Sequence, residues 1–165
     1  MRRLVSDTGP LLHLYEAACL DLLEHAGTIA VPQAVDSEMA QHVREWRTRK
    51  PSWITVTSVI APYDAQAAEW QQSGLLESGE AEAIALARQL GAAWFLTDDA
   101  TARVFAAALG LEVHGSLGIV LWAAARGHLS QAESAATLDR LAHSSLWISV
   151  RVLAEARAAL DSLFP

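Results

Sequence analysis

Acidic residues follow two apolar segments of this chain, at the points where strands are expected to end. The apolar run 93–96 is followed, after one threonine, by the adjacent carboxylates Asp98 and Asp99. Near the N-terminus, the segment Arg3–Ser6 leads into Asp7 in the same way. Ligands of open parallel sheets bind beyond the carboxyl ends of the strands. These acids are therefore candidates for a shared site.

Three glutamates in predicted helices are further candidates. Glu38 falls about 60° from Val35 on a helical wheel, at the margin of a buried stripe. Glu80 and Glu82 lie in the first turn of a predicted helix with Ser78 as its N-cap. Because they are two residues apart they point about 200° away from each other, so one of them can face a shared site.

Each acid also has a structural explanation when taken alone. Asp7, and either Asp98 or Asp99, can cap the helix that follows it. Glu80 and Glu82 are favoured by the positive end of their helix. Together the acids point to chemistry, because crowded carboxylates repel one another and their pKa values rise unless a cation neutralises them.

Hard oxygen ligands suit Mg²⁺ or Mn²⁺ and not Zn²⁺. The six histidines show no metal-ligand spacing, and the single cysteine, Cys19, has no partner. The sequence therefore predicts a divalent metal site lined by carboxylates.

The elements that must position these acids alternate between strand and helix. Strands are predicted at 3–6, 28–31, 53–59, 93–96 and 111–113, with helices between them. This alternation predicts an α/β fold with a parallel sheet covered on both faces. The segment 147–150 is either an edge strand or the start of a helix.

Two local expectations depend on turn and helix patterns. Gly9 and Pro10 predict a turn, with a helix starting near Leu11. A longer helix is predicted to open at Pro32 and to end in a basic cluster that Pro51 stops, namely Arg44, Arg47, Arg49 and Lys50. Charges of this kind at a helix end are usually solvated, and phosphate binding is the alternative.

Composition limits the class of protein. The chain has 165 residues, 52% hydrophobic and 19% charged, which predicts one globular domain over 1–165. No apolar run is long enough to cross a bilayer, and an acid interrupts the N-terminus before a signal-peptide core could form. With one cysteine, we expect a cytoplasmic location and no membrane association. The net charge of −7 argues against a large nonspecific nucleic-acid footprint.

The acidic motifs, in order, resemble those of PIN-domain proteins of the VapC-like toxin group. The motifs that carry the resemblance are Ser6-Asp7-Thr8, Val31-Pro32 followed by Glu38, Gly79-Glu80-Ala81-Glu82-Ala83, Leu96-Thr97-Asp98-Asp99 and 111–118. They span most of residues 4–122. The C-terminal helices resemble an extension found in one branch of the family, which divides the domain into a core of about 1–126 and a helical extension over 127–165.

The resemblance implies a three-layer α/β/α domain and a metal-dependent endoribonuclease. The residues that match the family's acidic quartet are Asp7, Glu38, Glu80 and Asp99, with Asp98 and Glu82 as alternatives for two of them. It further implies Mg²⁺ or Mn²⁺ held by Asp7, Glu80 and Asp98 or Asp99. Thr8 and Thr97 match hydroxyl positions that steady the acids.

The resemblance also implies an RNA substrate, an antitoxin protein as partner, and a homodimer. Given the negative net charge, RNA contact is expected from a local patch, either Arg103 or the cluster that contains Arg44 and Arg47. The six tryptophans are expected mostly in the core or at an interface and not as base-stacking platforms.

Two other functions fit part of the sequence pattern. An inactive PIN-like module that binds a protein or RNA without cleavage is the alternative to catalysis. A phosphatase with an aspartyl nucleophile at Asp7 is disfavoured, because that chemistry usually needs a second acid two residues later, where this chain has Gly9.

Overall fold

Five parallel strands form one sheet at the centre of the protein, in a computed structural model that describes residues 1–165. The sheet has the order β3-β2-β1-β4-β5, and every neighbouring pair is parallel. The strands are β1 (Arg3–Ser6), β2 (Thr28–Val31), β3 (Ile54–Val56), β4 (Trp94–Leu96) and β5 (Val113–His114). The predicted α/β fold with a parallel sheet is confirmed. The strand order reverses between β1 and β4, where ligands of such sheets bind.

Ten helices flank this sheet. They are α1 (Thr8–Glu16), α2 (Leu22–Ala26), α3 (Gln33–His42), α4 (Trp46–Arg49), α5 (Tyr63–Gln72), α6 (Ser78–Leu90), α7 (Ala100–Ala108), α8 (Ser116–Ala125), α9 (Gln131–Ala142) and α10 (Val150–Leu163). Helix α6 packs on β1, β4, α3 and α5, whereas α8 packs on α9 and α10. Leu4 and Val5 of β1 are fully buried, as a strand covered on both faces requires.

The C-terminal helices share the hydrophobic core with the rest of the chain. Leu138 and Leu141 of α9 and Leu160 of α10 are buried in the same cluster as β1. The Nε of Arg140 donates to the carbonyl oxygen of Ala17 at 2.8 Å, which joins α9 to the end of α1. None of the helices combines the length and the apolarity needed to cross a bilayer.

The predicted turn at Gly9 and Pro10 is wrong, because both residues lie in the first turn of α1. Asp7 caps this helix, and its carboxylate accepts a hydrogen bond from the Gly9 N–H at 2.8 Å. The first N–H groups of a helix have no partner within the helix, so a proline costs little there.

The predicted continuous helix from Pro32 to the basic cluster is also wrong. Helix α3 ends at His42, and Val43 is extended, with φ −117° and ψ 106°. Asp36 accounts for the break, since its Oδ1 accepts from Trp46 Nε1 and from Lys50 Nζ, both at 2.9 Å. These bonds fold the following segment back onto α3.

The structure corrects one predicted helix start and decides between two alternatives for another segment. Helix α6 begins after Glu77 and not after Ser78, and the Glu77 N–H donates to the Glu80 carboxylate at 3.0 Å. The segment 147–150 leads into α10, with Ser149 as its N-cap, so the helix-start alternative is confirmed. The third strand is shorter than predicted and lies at the edge of the sheet.

Candidate active site

A cavity of about 410 Å³ lies at the carboxyl end of the sheet, next to the point where the strand order reverses. It is lined mostly by polar side chains, and it brings together five acids singled out from the sequence: Asp7, Glu38, Glu80, Asp98 and Asp99. The remaining lining residues include Thr8, Gly9, His13, Glu77 and the loop 145–147. Acids from β1, α3, α6 and β4 therefore meet in one place.

Asp7 is the most buried of these acids, with 6% of its surface exposed. Its Oδ1 accepts from the Gly9 N–H at 2.8 Å, and its Oδ2 accepts from the Thr97 hydroxyl at 2.7 Å. Burial raises the pKa of Asp7 to about 6, against the lowering effect of these two bonds. The charges of Glu80 and Asp98 act in the same direction as burial. A nearby cation would relieve this unfavourable charge.

Thr97 is fully buried and supports two acids at once. Its hydroxyl donates to Asp7 and accepts from the Asp99 N–H at 3.2 Å. This single side chain therefore links the end of β1 to the start of α7. The arrangement matches the supporting role that the resemblance implied for Thr97.

Glu38 reaches the cavity from α3 and is held by two features of other segments. The Thr8 hydroxyl donates to its Oε2. The backbone of Gly79 leaves room for it, since a Cβ at that position would lie 2.6 Å from Glu38 Oε1. A side chain on residue 79 would therefore push the Glu38 carboxylate out of its position.

The structure distinguishes Glu80 from its alternative, Glu82. Glu80 lines the acidic cavity. Burial raises its pKa, and the charges of Asp99, Glu77 and Glu38 add to the effect. Glu82 lies on a different cavity, and its carboxylate accepts from the Ala34 N–H at 3.3 Å. Glu80 is therefore the member of the pair that shares the site.

Asp98 and Asp99 both line the cavity but have different surroundings. Asp98 Oδ2 lies 2.7 Å from His13 Nδ1 and accepts from the Ser116 hydroxyl at 2.5 Å, while its Oδ1 accepts from the Ser116 N–H at 2.7 Å. Burial raises the pKa of Asp98, but the bonds from His13 and Ser116 outweigh it and leave the pKa lowered. Asp99 is exposed, and one of its oxygens caps α7 through the Ala102 N–H. Asp99 thus keeps an oxygen free toward the cavity.

The acids fit a hydrated divalent cation better than a fully liganded one. No three His, Cys, Asp or Glu side chains lie close enough together to ligate one ion directly. Mg²⁺ usually keeps several waters and takes one or two carboxylates together with substrate phosphates. The cavity is large enough for such an ion. Burial, with a smaller contribution from the charges of Glu80 and Asp98, raises the pKa of Asp7, and a bound cation would favour its charged form.

Of the basic residues considered for RNA contact, one lies beside the site. Arg44 and Arg47 line no part of the acidic cavity, and their segment is held on Asp36. Arg103 of α7 donates from Nη2 to the Thr97 carbonyl oxygen at 3.2 Å, at the edge of the site.

Four residues of the site, namely His13, Gly79, Ser116 and Trp147, are not identified by the sequence patterns. No histidine has metal-ligand spacing, yet His13 lies about one and a half turns into the helix that Asp7 caps. Ser116 and Gly79 act through contacts with acids far away in the chain. Trp147 lines the cavity and is 84% exposed, so it does not lie in the core, which was one of the two places expected for most tryptophans.

Comparison with known families agrees with the fold. A family model described as a PIN domain matches residues 3–162, nearly the whole chain. No curated protein sequence matches the chain. PIN domains are generally nucleases that use divalent metals. The sheet order, the converging acids and this match lead to one conclusion: the chain belongs to the PIN-domain family.

Proposed function

We propose that the protein is an endoribonuclease that depends on Mg²⁺ or Mn²⁺ and hydrolyses phosphodiester bonds in RNA. The observation that carries this proposal is the convergence of Asp7, Glu38, Glu80 and Asp99 on one cavity of a PIN-domain sheet. Each of these acids comes from a different element, so helix capping alone does not explain why they meet.

Asp7, Glu80 and Asp99 are the residues that would hold a hydrated metal ion, in part through its waters, since no three acids lie close enough to bind one ion directly. The ion would lower the pKa of water and neutralise charge developing on a phosphodiester. Thr97 holds Asp7 in place, and Thr8 does the same for Glu38. Asp98, which the sequence offered as an alternative ligand, is better suited to orient His13, because hydrogen bonds from His13 and Ser116 already stabilise its charged form and lower its pKa, whereas the pKa of Asp7 is raised.

His13 contributes an imidazole ring to the lining of a cavity that contains many carboxylates. Its Nδ1 faces Asp98, so this contact fixes the orientation of the ring. A histidine held in this way by a carboxylate can orient a water or a phosphate oxygen in the cavity. We assign His13 this positioning role in the proposed reaction.

The biological role that we propose follows from the VapC-like resemblance. In this role the protein is the toxin of a toxin–antitoxin pair, binds an antitoxin protein, and forms a homodimer. The motifs Ser6-Asp7-Thr8 and Leu96-Thr97-Asp98-Asp99 support the proposal. Co-purification with the product of an adjacent small gene would test the partner, and sedimentation would test the dimer.

The enzymatic proposal is tested by cleavage of a labelled RNA with Mg²⁺ or Mn²⁺ and with EDTA. We expect metal-dependent cleavage that Asp7→Asn reduces by about 100-fold or more, since positioned charge in an active site contributes at least that much. Asp161→Asn is the matched control, because Asp161 is an exposed acid of α10 away from the cavity. Equal activity of Asp7→Asn and wild type would contradict the assignment, and a wild type that binds RNA without cutting it would favour the inactive module.

A further inference from the structure

A second cavity, of about 300 Å³, adjoins the acidic one and has a different character. The two cavities share Asp98, Leu146 and Trp147. Half of the residues that line the second cavity are hydrophobic, among them Val113, Leu117, Ile148 and Val152, and its cationic residue is Arg103. A molecule that occupied both cavities would place an apolar or aromatic group in the second cavity. Because the first cavity is lined by carboxylates, the same molecule would place a phosphate there together with a divalent cation.

The wall between the cavities is an exposed tryptophan on a fixed loop. Trp147 is 84% exposed, while its neighbours Leu146 and Ile148 pack against the hydrophobic core. Ser145 donates from its N–H and its hydroxyl to the Glu16 carboxylate, at 2.8 and 2.5 Å. Ser149 caps α10 on the other side. The backbone is thus held on both sides of Trp147, while the indole ring itself is largely exposed to solvent.

Arg103 supplies a positive charge to the same second cavity. Its guanidinium donates to the Thr97 carbonyl oxygen and takes part in none of the ion pairs of the structure. Gly115 makes this position possible, since a Cβ there would lie 2.6 Å from Arg103 Nη2. An unpaired arginine beside a site in a chain of net charge −7 is suited to an anionic ligand.

We propose that the second cavity is a nucleotide subsite for single-stranded RNA. The base beside the scissile phosphate stacks on the indole of Trp147, and the neighbouring phosphate pairs with Arg103. This inference rests on the proposed function and extends it to the substrate. Unstacked bases on aromatic side chains are the usual mode of single-stranded RNA recognition, and arginine binds phosphate well.

The lining and the surroundings favour a nucleotide over a protein segment as the occupant. The second cavity, of about 300 Å³, combines the exposed Trp147 with one arginine, Arg103. It shares Asp98, Leu146 and Trp147 with the acidic cavity, so an occupant lies next to the proposed reacting group. Base stacking accepts any base, which predicts weak sequence preference at this position and discrimination against duplex RNA.

The test measures binding of a short fluorescent single-stranded RNA by anisotropy in Mg²⁺, in an Asp7→Asn background whose cleavage is expected to be at least about 100-fold slower. Adding Trp147→Ala is expected to raise Kd roughly 5- to 150-fold, the range for loss of one stacked base. Trp147→Phe is expected to keep most of the affinity. Val150→Ala is the matched control and is expected to leave Kd unchanged, since Val150 is 88% exposed nearby and lines neither cavity.

The outcomes separate this subsite from the proposed cleavage. Equal Kd values for Trp147→Ala and its background would overturn the subsite, whether or not the wild type cleaves RNA. Weaker binding by Trp147→Ala together with no cleavage by wild type would support the subsite and reject the nuclease. A change of Trp147→Ala from dimer to monomer in sedimentation, with RNA affinity unchanged, would make this patch a self-association surface and would also overturn the proposal.

Discussion

Asp7 is expected to destabilise the metal-free protein at neutral pH. Its carboxyl is 6% exposed, and burial raises its pKa from 3.8 to about 6. The folded state therefore binds a proton more tightly than the unfolded state. The free energy of unfolding falls as pH rises from about 4 to about 6, and the loss is complete above that range. A difference of about 2 pKa units corresponds to roughly 3 kcal/mol.

Replacement of Asp7 by asparagine removes this charge and keeps its contacts. The Asn oxygen can accept from the Gly9 N–H, and the Asn amide can donate to the Thr97 hydroxyl, whose oxygen also accepts hydrogen bonds. Asparagine is also a good N-cap, so α1 keeps its start. In EDTA at pH 7, Asp7→Asn is therefore expected to be more stable than wild type by up to about 3 kcal/mol.

Urea unfolding between pH 4 and pH 7.5 in EDTA measures this effect through the tryptophan fluorescence. The stability difference between the two proteins should be near zero at pH 4 and should grow to its full value above pH 6. Mn²⁺ at pH 7 should stabilise the wild type and leave Asp7→Asn nearly unchanged. A stability difference that does not vary with pH, or a less stable variant at pH 7, would refute the reasoning.

Three other predictions concern the position of Glu38, the choice between Glu80 and Glu82, and the surface that binds RNA. Gly79→Ala should lower RNA cleavage at least about tenfold, because the new Cβ would displace Glu38, and thermal unfolding should show little loss of stability since alanine favours helices. Unchanged activity would show that the position of Glu38 is not needed. Glu80→Gln should weaken Mn²⁺ binding in calorimetry, whereas Glu82→Gln should not, because Glu82 lies on another cavity. Arg47→Ala should leave the Kd for RNA within about twofold, and a larger rise would place RNA on the basic segment.

The acids at strand ends were accessible from sequence because a local pattern defines them. The buried run of β4 ends directly before Thr97, and β1 ends directly before Asp7. Once a parallel sheet is inferred, the carboxyl ends of its strands must lie on one edge. The local pattern left the choice between Glu80 and Glu82 open, since it gives the angle between them but not which one faces the sheet.

The features that sequence did not reveal depend on contacts between distant residues. The break after α3 arises because Asp36 binds Trp46 and Lys50, whereas periodicity alone favours a continuous helix. The role of Gly79 requires the position of Glu38, 41 residues earlier in the chain. The exposure of Trp147 depends on how the loop before α10 is held, which no local propensity encodes.

The proposed function depends above all on binding of a divalent cation by the carboxylates of this cavity. Calorimetric titration of Mn²⁺ into wild type and into the double variant Asp7→Asn/Asp99→Asn tests it most directly. Both substitutions keep the N-caps of α1 and α7, so the fold should be retained. We predict saturable binding by wild type that is lost in the double variant. No binding by the folded wild type, or equal binding by both proteins, would contradict the claim.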